Sequence, residues 1–446
     1  MSIYLRAKSL IGIDFHTGLT LLLRIWTLIA GAAMVFVITI TLSKNEQGYY
    51  FTFASILGLQ ILFELGLNQV IVQLISHEMA FVSFSDVNGF QGDDLRINRI
   101  KSIIALFRKW YRAAASIFFS VTLALGLWMF WLEGSIPLDQ LVGPWFILVL
   151  TTSLSLLMSP LLAVIEGFDK VGQVARLRLI QSIGGYILTW GALYYGLGLW
   201  ATVFIPLTAV TGSFYWLYRN KYLKELGKRT DSLSKHLVNW QKEIFPFQWK
   251  IAVSWISGYM LFQLFTPIVF INLGAIAAGK LGLSITIFSS LQAVGISWIN
   301  SKIPQLTRHI SRGEKQEIAI DFTKGVIRSA LFTTFMYGAV LITVYSLDKI
   351  GIEAVSRLAD FGTLLCIAIT NIANVLVYGA ATYMRSHRTE PMLLASVFCA
   401  ILTLGVVFFV SEYGLFLMMF MQTAITMLVS LPWCAYLLRR FRLARL

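Results

Sequence analysis

The chain has 446 residues, of which 57% are hydrophobic and 13% charged. That balance excludes an ordinary soluble globular domain and describes a polytopic membrane protein. The formal charge of +14 would suit a nucleic-acid partner if it were clustered on one surface, but it follows the loops, so no nucleic-acid partner is expected.

The chain opens on the polar stretch MSIYLRAKSLIGIDFHTG, and the apolar run after it is too long for a signal-peptide core and lacks a small-residue cleavage pattern. It is expected to be a retained helix. Apolar runs of spanning length then recur over 18–42, 49–76, 111–132, 144–166, 180–198, 199–218, 251–272, 281–301, 327–347, 361–384, 392–410 and 414–438, which makes twelve predicted spans. Of the 36 Lys and Arg residues, Lys44, Lys280, Lys349 and Arg357 fall in loops on one side, Arg24 falls within a span, and all the rest fall on the other side. The rule that cytoplasmic loops carry the positive charge therefore predicts both termini in the cytoplasm.

The expected fold is an all-α integral membrane protein of about twelve transmembrane helices in two six-helix lobes. The predicted division is an N-terminal lobe over 1–218, a cytoplasmic linker with an amphipathic helix over 219–250, and a C-terminal lobe over 251–446. A weak internal echo supports it, since an offset of 234 pairs Gly48 with Gly282, Thr52 with Thr286, Ser55 with Ser289 and Leu57 with Leu291. The stretches IKSIIALFRKWYR and VNWQKEIFPFQWK are basic, aromatic and amphipathic; they read either as helices on anionic membrane lipids or as solvated connectors.

The second span carries the most conspicuous polar group. Glu64 lies near its middle, a position that costs roughly 2.5–3.5 kcal/mol on insertion scales and calls for a partner, a cavity or a proton. Arg24 lies on the first span, at a depth that differs from that of Glu64 by roughly 9 Å. Two readings stand: a buried Arg24–Glu64 pair that fixes two helices, or Arg24 as an anion contact in a central cavity with Glu64 as the coupling group. Gln60, Glu64 and Asn68 recur every four residues and would form one stripe on a continuous helix. Gln292 with Asn300, Asn371 with Asn374 and Tyr378, and Tyr259 with Gln263 give similar stripes in the second half, either joining helices or lining a polar interior. Pro160, Pro206 and Pro267 are candidate hinges.

No HExxH, CxxC, GxSxG or GxxxxGK[ST] pattern occurs, so no cofactor or metal is expected and hydrolase or nucleotide-driven readings lack support. Cys366, Cys399 and Cys434 lie in apolar segments and read as small hydrophobes.

The segments RIWTLIAGAAMVFVITITLS and NEQGYYFTFASILGLQILFELGLNQVIVQ resemble bacterial polysaccharide biosynthesis proteins of the O-antigen flippase (Wzx) type, within the multidrug/oligosaccharidyl-lipid/polysaccharide (MOP) flippase superfamily. The resemblance is strongest over residues 20–78. It implies a multi-pass protein of the bacterial inner membrane, with two lobes around a cavity that alternates between the faces. Its substrate would be an undecaprenyl-diphosphate-linked oligosaccharide, its drive an ion or proton gradient, and its further partners other polysaccharide-assembly proteins. Arg24 matches the family's cationic cavity residues and Glu64 its coupling groups by type and depth. The chain departs from the pattern in having no Lys or Arg at mid-depth in the second lobe. A drug exporter of the same superfamily is the nearest alternative. A membrane glycan polymerase or ligase would need a sizeable outer loop, and none occurs.

Overall fold

The computed structural model describes residues 15–85, 89–228, 238–312, 315–387, 389 and 391–443. Residues 229–237 of the expected linker lie outside those residues, whereas VNWQKEIFPFQWK, 238–250, lies within them and is helical from Trp240 into the helix that begins at Phe245. The first half contains α1 (Phe15–Thr41), α2 (Lys44–Leu57), α3 (Gln60–Glu64), α4 (Leu67–Met79), a short antiparallel hairpin of β1 (Val82–Ser85) and β2 (Gly89–Gly92), and then α5 (Asp94–Glu133), α6 (Leu138–Ile165), α7 (Val171–Tyr194), α8 (Phe204–Arg219) and α9 (Lys221–Lys228). The second half contains α10 (Phe245–Phe262), α11 (Phe265–Arg312), α12 (Lys315–Ile350), α13 (Phe361–Ser386), α14 (Leu393–Val410), α15 (Leu415–Ile425) and α16 (Leu431–Leu443).

Among the described residues, ten helical stretches are long and apolar enough to cross a membrane. Two of them, Leu138–Tyr194 and Ala252–Ile303, have 57 and 52 residues, more than twice the roughly 20 that one crossing needs. Each is interrupted near its middle, the first at Glu166–Lys170 where Asp169 has a φ of 61°, the second at Gly274 with a φ of 83°. Ten stretches thus hold the length for twelve crossings, and the protein is an all-α membrane protein.

Of the candidate hinges, Pro267 falls in the first turn of α11, just after the helix is interrupted at Gln263 and Leu264, and Pro206 falls in the first turn of α8. Neither costs a hydrogen bond there, because the first-turn amides have no intrahelical acceptor. Pro160 lies inside the unbroken helix α6.

Contacts group the chain into two compact units. One comprises Met1–Val37, Leu57–Trp131 and Ile136–Trp255; the other comprises Ile38–Ile56, Leu132–Ser135 and Ile256–Leu446. In the first unit, Ile71 and Ile75 of α4 pack with Ile97, Ile100, Ile103 and Phe107 of α5 around Phe168. Glu78 is 2% exposed and bound by Arg96 at 2.9 Å and Arg99 at 2.8 Å, so a carboxylate on the apolar side of α4 is satisfied by two guanidinium groups one turn apart. Arg99 also reaches Glu243. Aromatic packing ties the hairpin down, with Phe84 against Phe90 and Tyr222, and Phe90 against Phe168.

In the second unit, α2 and α11 approach closely enough that a Cβ on Gly48 would lie 2.0 Å from the Ala275 carbonyl oxygen, and one on Gly282 would lie 2.5 Å from the Phe51 Cβ. At the far end of α13, Tyr383 and Met384 pack with Leu306 and Cys434, and Arg442 lies over the rings of Phe322 and Tyr383.

Candidate functional site

The second span is not the continuous helix that its hydrophobic length predicts. It breaks at Gly58 and Leu59 and again at Leu65 and Gly66, where the backbone turns left-handed with φ values of 47° and 70°. Glycine adopts that conformation readily. A leucine there is strained by about 1–2 kcal/mol. The break leaves the Leu65 carbonyl without its usual helical donor, and the side-chain amide of Gln248 on α10 donates to it. Gln248 is 4% exposed, and its own amide oxygen is buried without a partner among the described residues.

Glu64 is the last residue of α3, directly before the break. Its Oε1 accepts from Gln60 Nε2 at 2.7 Å. Asn68, on the far side of the break, accepts from the Tyr111 hydroxyl at 2.9 Å, and that hydroxyl also meets Ser159. Tyr111 is within electrostatic reach of Glu64. The expected stripe of Gln60, Glu64 and Asn68 is therefore divided: the first two bond to each other, and the third bonds across to α5.

Arg24 does not pair with Glu64. It is exposed on α1 and forms no ion pair among the described residues, while the cation whose charge reaches Glu64 is Arg178 of α7, itself 3.1 Å from Glu166. Of the two readings the sequence left open, the fixed Arg24–Glu64 pair is absent from this structure. Arg178 escaped notice because it sits at the start of α7, in what charge counting treats as a cytoplasmic loop. Tyr111 and Gln248 were hidden likewise, by their places at the ends of apolar runs.

The residues chosen from the second half gather on α11 and α13. Gln292 Nε2 donates to the Asn371 carbonyl at 3.0 Å, and the Tyr378 hydroxyl donates to Asn300 Oδ1 at 2.7 Å. Tyr337 of α12 donates to the Phe288 carbonyl at 2.9 Å and is also hydrogen-bonded by the Asn371 side chain. Asn374 is half-buried, with no side-chain hydrogen bond among the described residues. Gln263 lies exposed at the interruption before α11, apart from this group, whereas Tyr259, 3% exposed, donates to the Ser55 carbonyl at 3.3 Å. Gln292, Asn371 and Tyr378 thus join helices by hydrogen bonds in this structure. The described residues contain no cluster of His, Cys, Asp or Glu with the spacing of a metal site.

No family model and no curated protein sequence matches the chain. Solved structures do. The lipid II flippase MurJ in an inward closed conformation superposes with a TM-score of 0.63 at 11% identity, covering 94% of this chain and 87% of that one. This chain has the fold of the MOP transporters. An inward-facing multidrug resistance MATE transporter of that superfamily superposes with a TM-score of 0.61 at 11% identity over 93% of this chain and 95% of its own, and an outward-facing one with a TM-score of 0.51 at 12% identity over 96% and 97%.

Proposed function

We propose that the chain is a flippase that moves a polyprenyl-diphosphate-linked oligosaccharide, an O-antigen or other surface-polysaccharide repeat unit, from the cytoplasmic to the outer leaflet of a bacterial inner membrane. The observation that carries the proposal is the likeness to a lipid II flippase over nearly the whole chain, joined to a first-and-second-span sequence of O-antigen flippase type. A glycan headgroup cannot cross hydrocarbon unaided and needs a polar path, while its prenyl tail can remain in lipid. Two six-helix lobes, 1–218 and 251–446, joined through 219–250 with both termini cytoplasmic, supply such a path by alternating access, with anionic lipids bound along the basic cytoplasmic loops.

In this reading Arg24 meets the diphosphate, since a guanidinium forms paired, charge-assisted hydrogen bonds with phosphate oxygens. Glu64 is the coupling group, and the Leu65–Gly66 break gives it a backbone that can rearrange when a proton or cation neutralises it. Gln60 and Asn68, with Gln292, Asn371, Asn374, Tyr378 and Gln263, supply polar contacts along the path. Coupling is to an ion gradient, and no enzymatic step is involved.

The test is restoration of surface polysaccharide in a flippase-null strain, with lipid-linked glycan protected from externally added glycosidase in the uncomplemented cells. The second reading, a proton- or sodium-coupled exporter of small molecules, draws on the MATE likeness. Drug resistance without any polysaccharide would establish the exporter and overturn the flippase.

A further inference from the structure

The flippase reading makes no use of Glu133, yet four hydrogen bonds converge on its carboxylate. The Tyr49 hydroxyl donates to Oε2 at 2.5 Å, the Ser135 amide and hydroxyl donate to Oε2 at 3.0 and 2.6 Å, and the Ala275 amide donates to Oε1 at 3.0 Å. These donors come from α2, from the turn after α5 and from α11, so the last turn of α5 is held within the second unit while the rest of α5 belongs to the first. The Ala275 amide is available because Gly274 breaks α11 immediately before it, and the carboxylate thereby caps the helix that begins at Ala275.

The charged groups on the packed elements leave this carboxylate without a cation. Among the described residues, Lys44 of α2, Lys280 of α11 and Asp139 of α6 form no ion pair with it, Glu46 is occupied by the Ser43 amide at 2.8 Å, and Arg357 by the Leu42 carbonyl at 2.7 Å. Among those residues Tyr49 is the one titratable side chain hydrogen-bonded to it. Every partner is a donor. A carboxylate accepts at about four lone-pair sites and can satisfy them all; once protonated, it brings a donor of its own into a ring of donors and must lose at least one bond.

We propose that Glu133 is a proton-binding site and the pin of an acid-released clasp, which holds α2 and the end of α5 against the broken start of the Ala275 helix when ionised and lets them go when protonated. A proton from the aqueous face opposite the termini occupies the carboxylate, and the Ala275 amide and the Tyr49 hydroxyl turn to water. Proton binding and the closed clasp therefore exclude one another, which couples them reciprocally.

Hydrogen–deuterium exchange of the full-length protein in nanodiscs tests this without any substrate, so failure of the flippase reading and failure of the clasp are separately visible. After correction for intrinsic rates, peptides covering residues 44–53 and 270–280 of the wild type should lose protection by at least about threefold between pH 7.5 and pH 3.5, because a carboxylate ringed by donors gives up its charge only below the ordinary carboxylate range. Glu133→Gln, whose amide likewise places a donor among donors, should show the acid level of exchange at both pH values. Unchanged wild-type protection across that range, or a Glu133→Gln protein that keeps the wild-type pH response, overturns the clasp. The wild-type titration decides the matter by itself if the variant does not fold.

Discussion

Gly48 and Gly282 stand 234 residues apart in corresponding positions of the internal echo, and both lie in one contact between α2 and α11. Gly48 faces the Ala275 carbonyl and Gly282 faces the Phe51 side chain. The two glycines let α2 and α11 approach at backbone distance, as small residues commonly do in lipid. Replacing Gly48 by Ala puts a methyl group 2.0 Å from a carbonyl oxygen that cannot swing away. The expected cost is about 1–3 kcal/mol, seen as a lower melting temperature of the detergent-purified protein by size-exclusion fluorescence. Gly405→Ala, inside α14 with nothing within 4 Å of the new methyl, should not lower that temperature and should raise it slightly.

Glu64→Gln should abolish most polysaccharide restoration while the protein still inserts to wild-type level. The amide keeps a partner for Gln60 and preserves size, so a loss reports the charge or its proton rather than the fold. Full restoration by Glu64→Gln would remove Glu64 from coupling.

The two arginines can be separated. If Arg24 binds diphosphate as a cation, Arg24→Lys should retain more complementation than Arg24→Ala, and neither should alter the melting temperature, since Arg24 is exposed and holds no ion pair among the described residues. Arg178→Ala acts on the charge facing Glu64 and releases Glu166, so it should change the pH profile of transport. Equal activity of the wild type, Arg24→Lys and Arg24→Ala would take the first span out of the anion path.

How much of this was open to reading from sequence differs from residue to residue. Spans are written in hydrophobic length, and in a bilayer that signal is strong because each crossing must satisfy its own backbone. The Glu166–Lys170 turn could be placed because Glu, Asp and Lys interrupt an apolar run there. Gly274 could not, because glycine in an apolar run is ordinary in membrane helices. Glu64 stood out as an acid in hydrocarbon, whereas Glu133 passed as an acid at a helix end; only the path of the chain brings Tyr49 and Ala275 to it. The partners of Glu64 depend on the same long-range geometry, which is why Arg24, nearer in sequence, was the natural candidate and Arg178 was not.

Glu78 offers a test outside the membrane-spanning core. Its side chain is 3% exposed and satisfied by Arg96 and Arg99, so Glu78→Gln leaves two guanidinium groups facing one amide. Breaking a buried pair from one side costs about 3–5 kcal/mol, which here is local: the hairpin and the first turns of α5 should become sensitive to limited trypsin digestion at Arg96 and Arg99. Digestion of the variant no faster than of the wild type would show that the hairpin is held by its aromatic contacts instead.

The break beside Glu64 has a test in which the sign of the effect decides. In a continuous helix, Gly66→Ala stabilises by about 1 kcal/mol, because alanine loses less backbone freedom than glycine and keeps the ladder intact. At a φ of 70° the same methyl meets the preceding and following backbone, and the variant is destabilised by about 1–2 kcal/mol. Leu65→Gly reverses the comparison. With Leu65 at a φ of 47°, glycine removes strain and should stabilise the break, where in a continuous helix it would destabilise. A lowered melting temperature for Gly66→Ala together with a raised or unchanged one for Leu65→Gly is the expected pair of results. The opposite pair would mean that the second span runs unbroken past Glu64, and that Gln60, Glu64 and Asn68 do share one face.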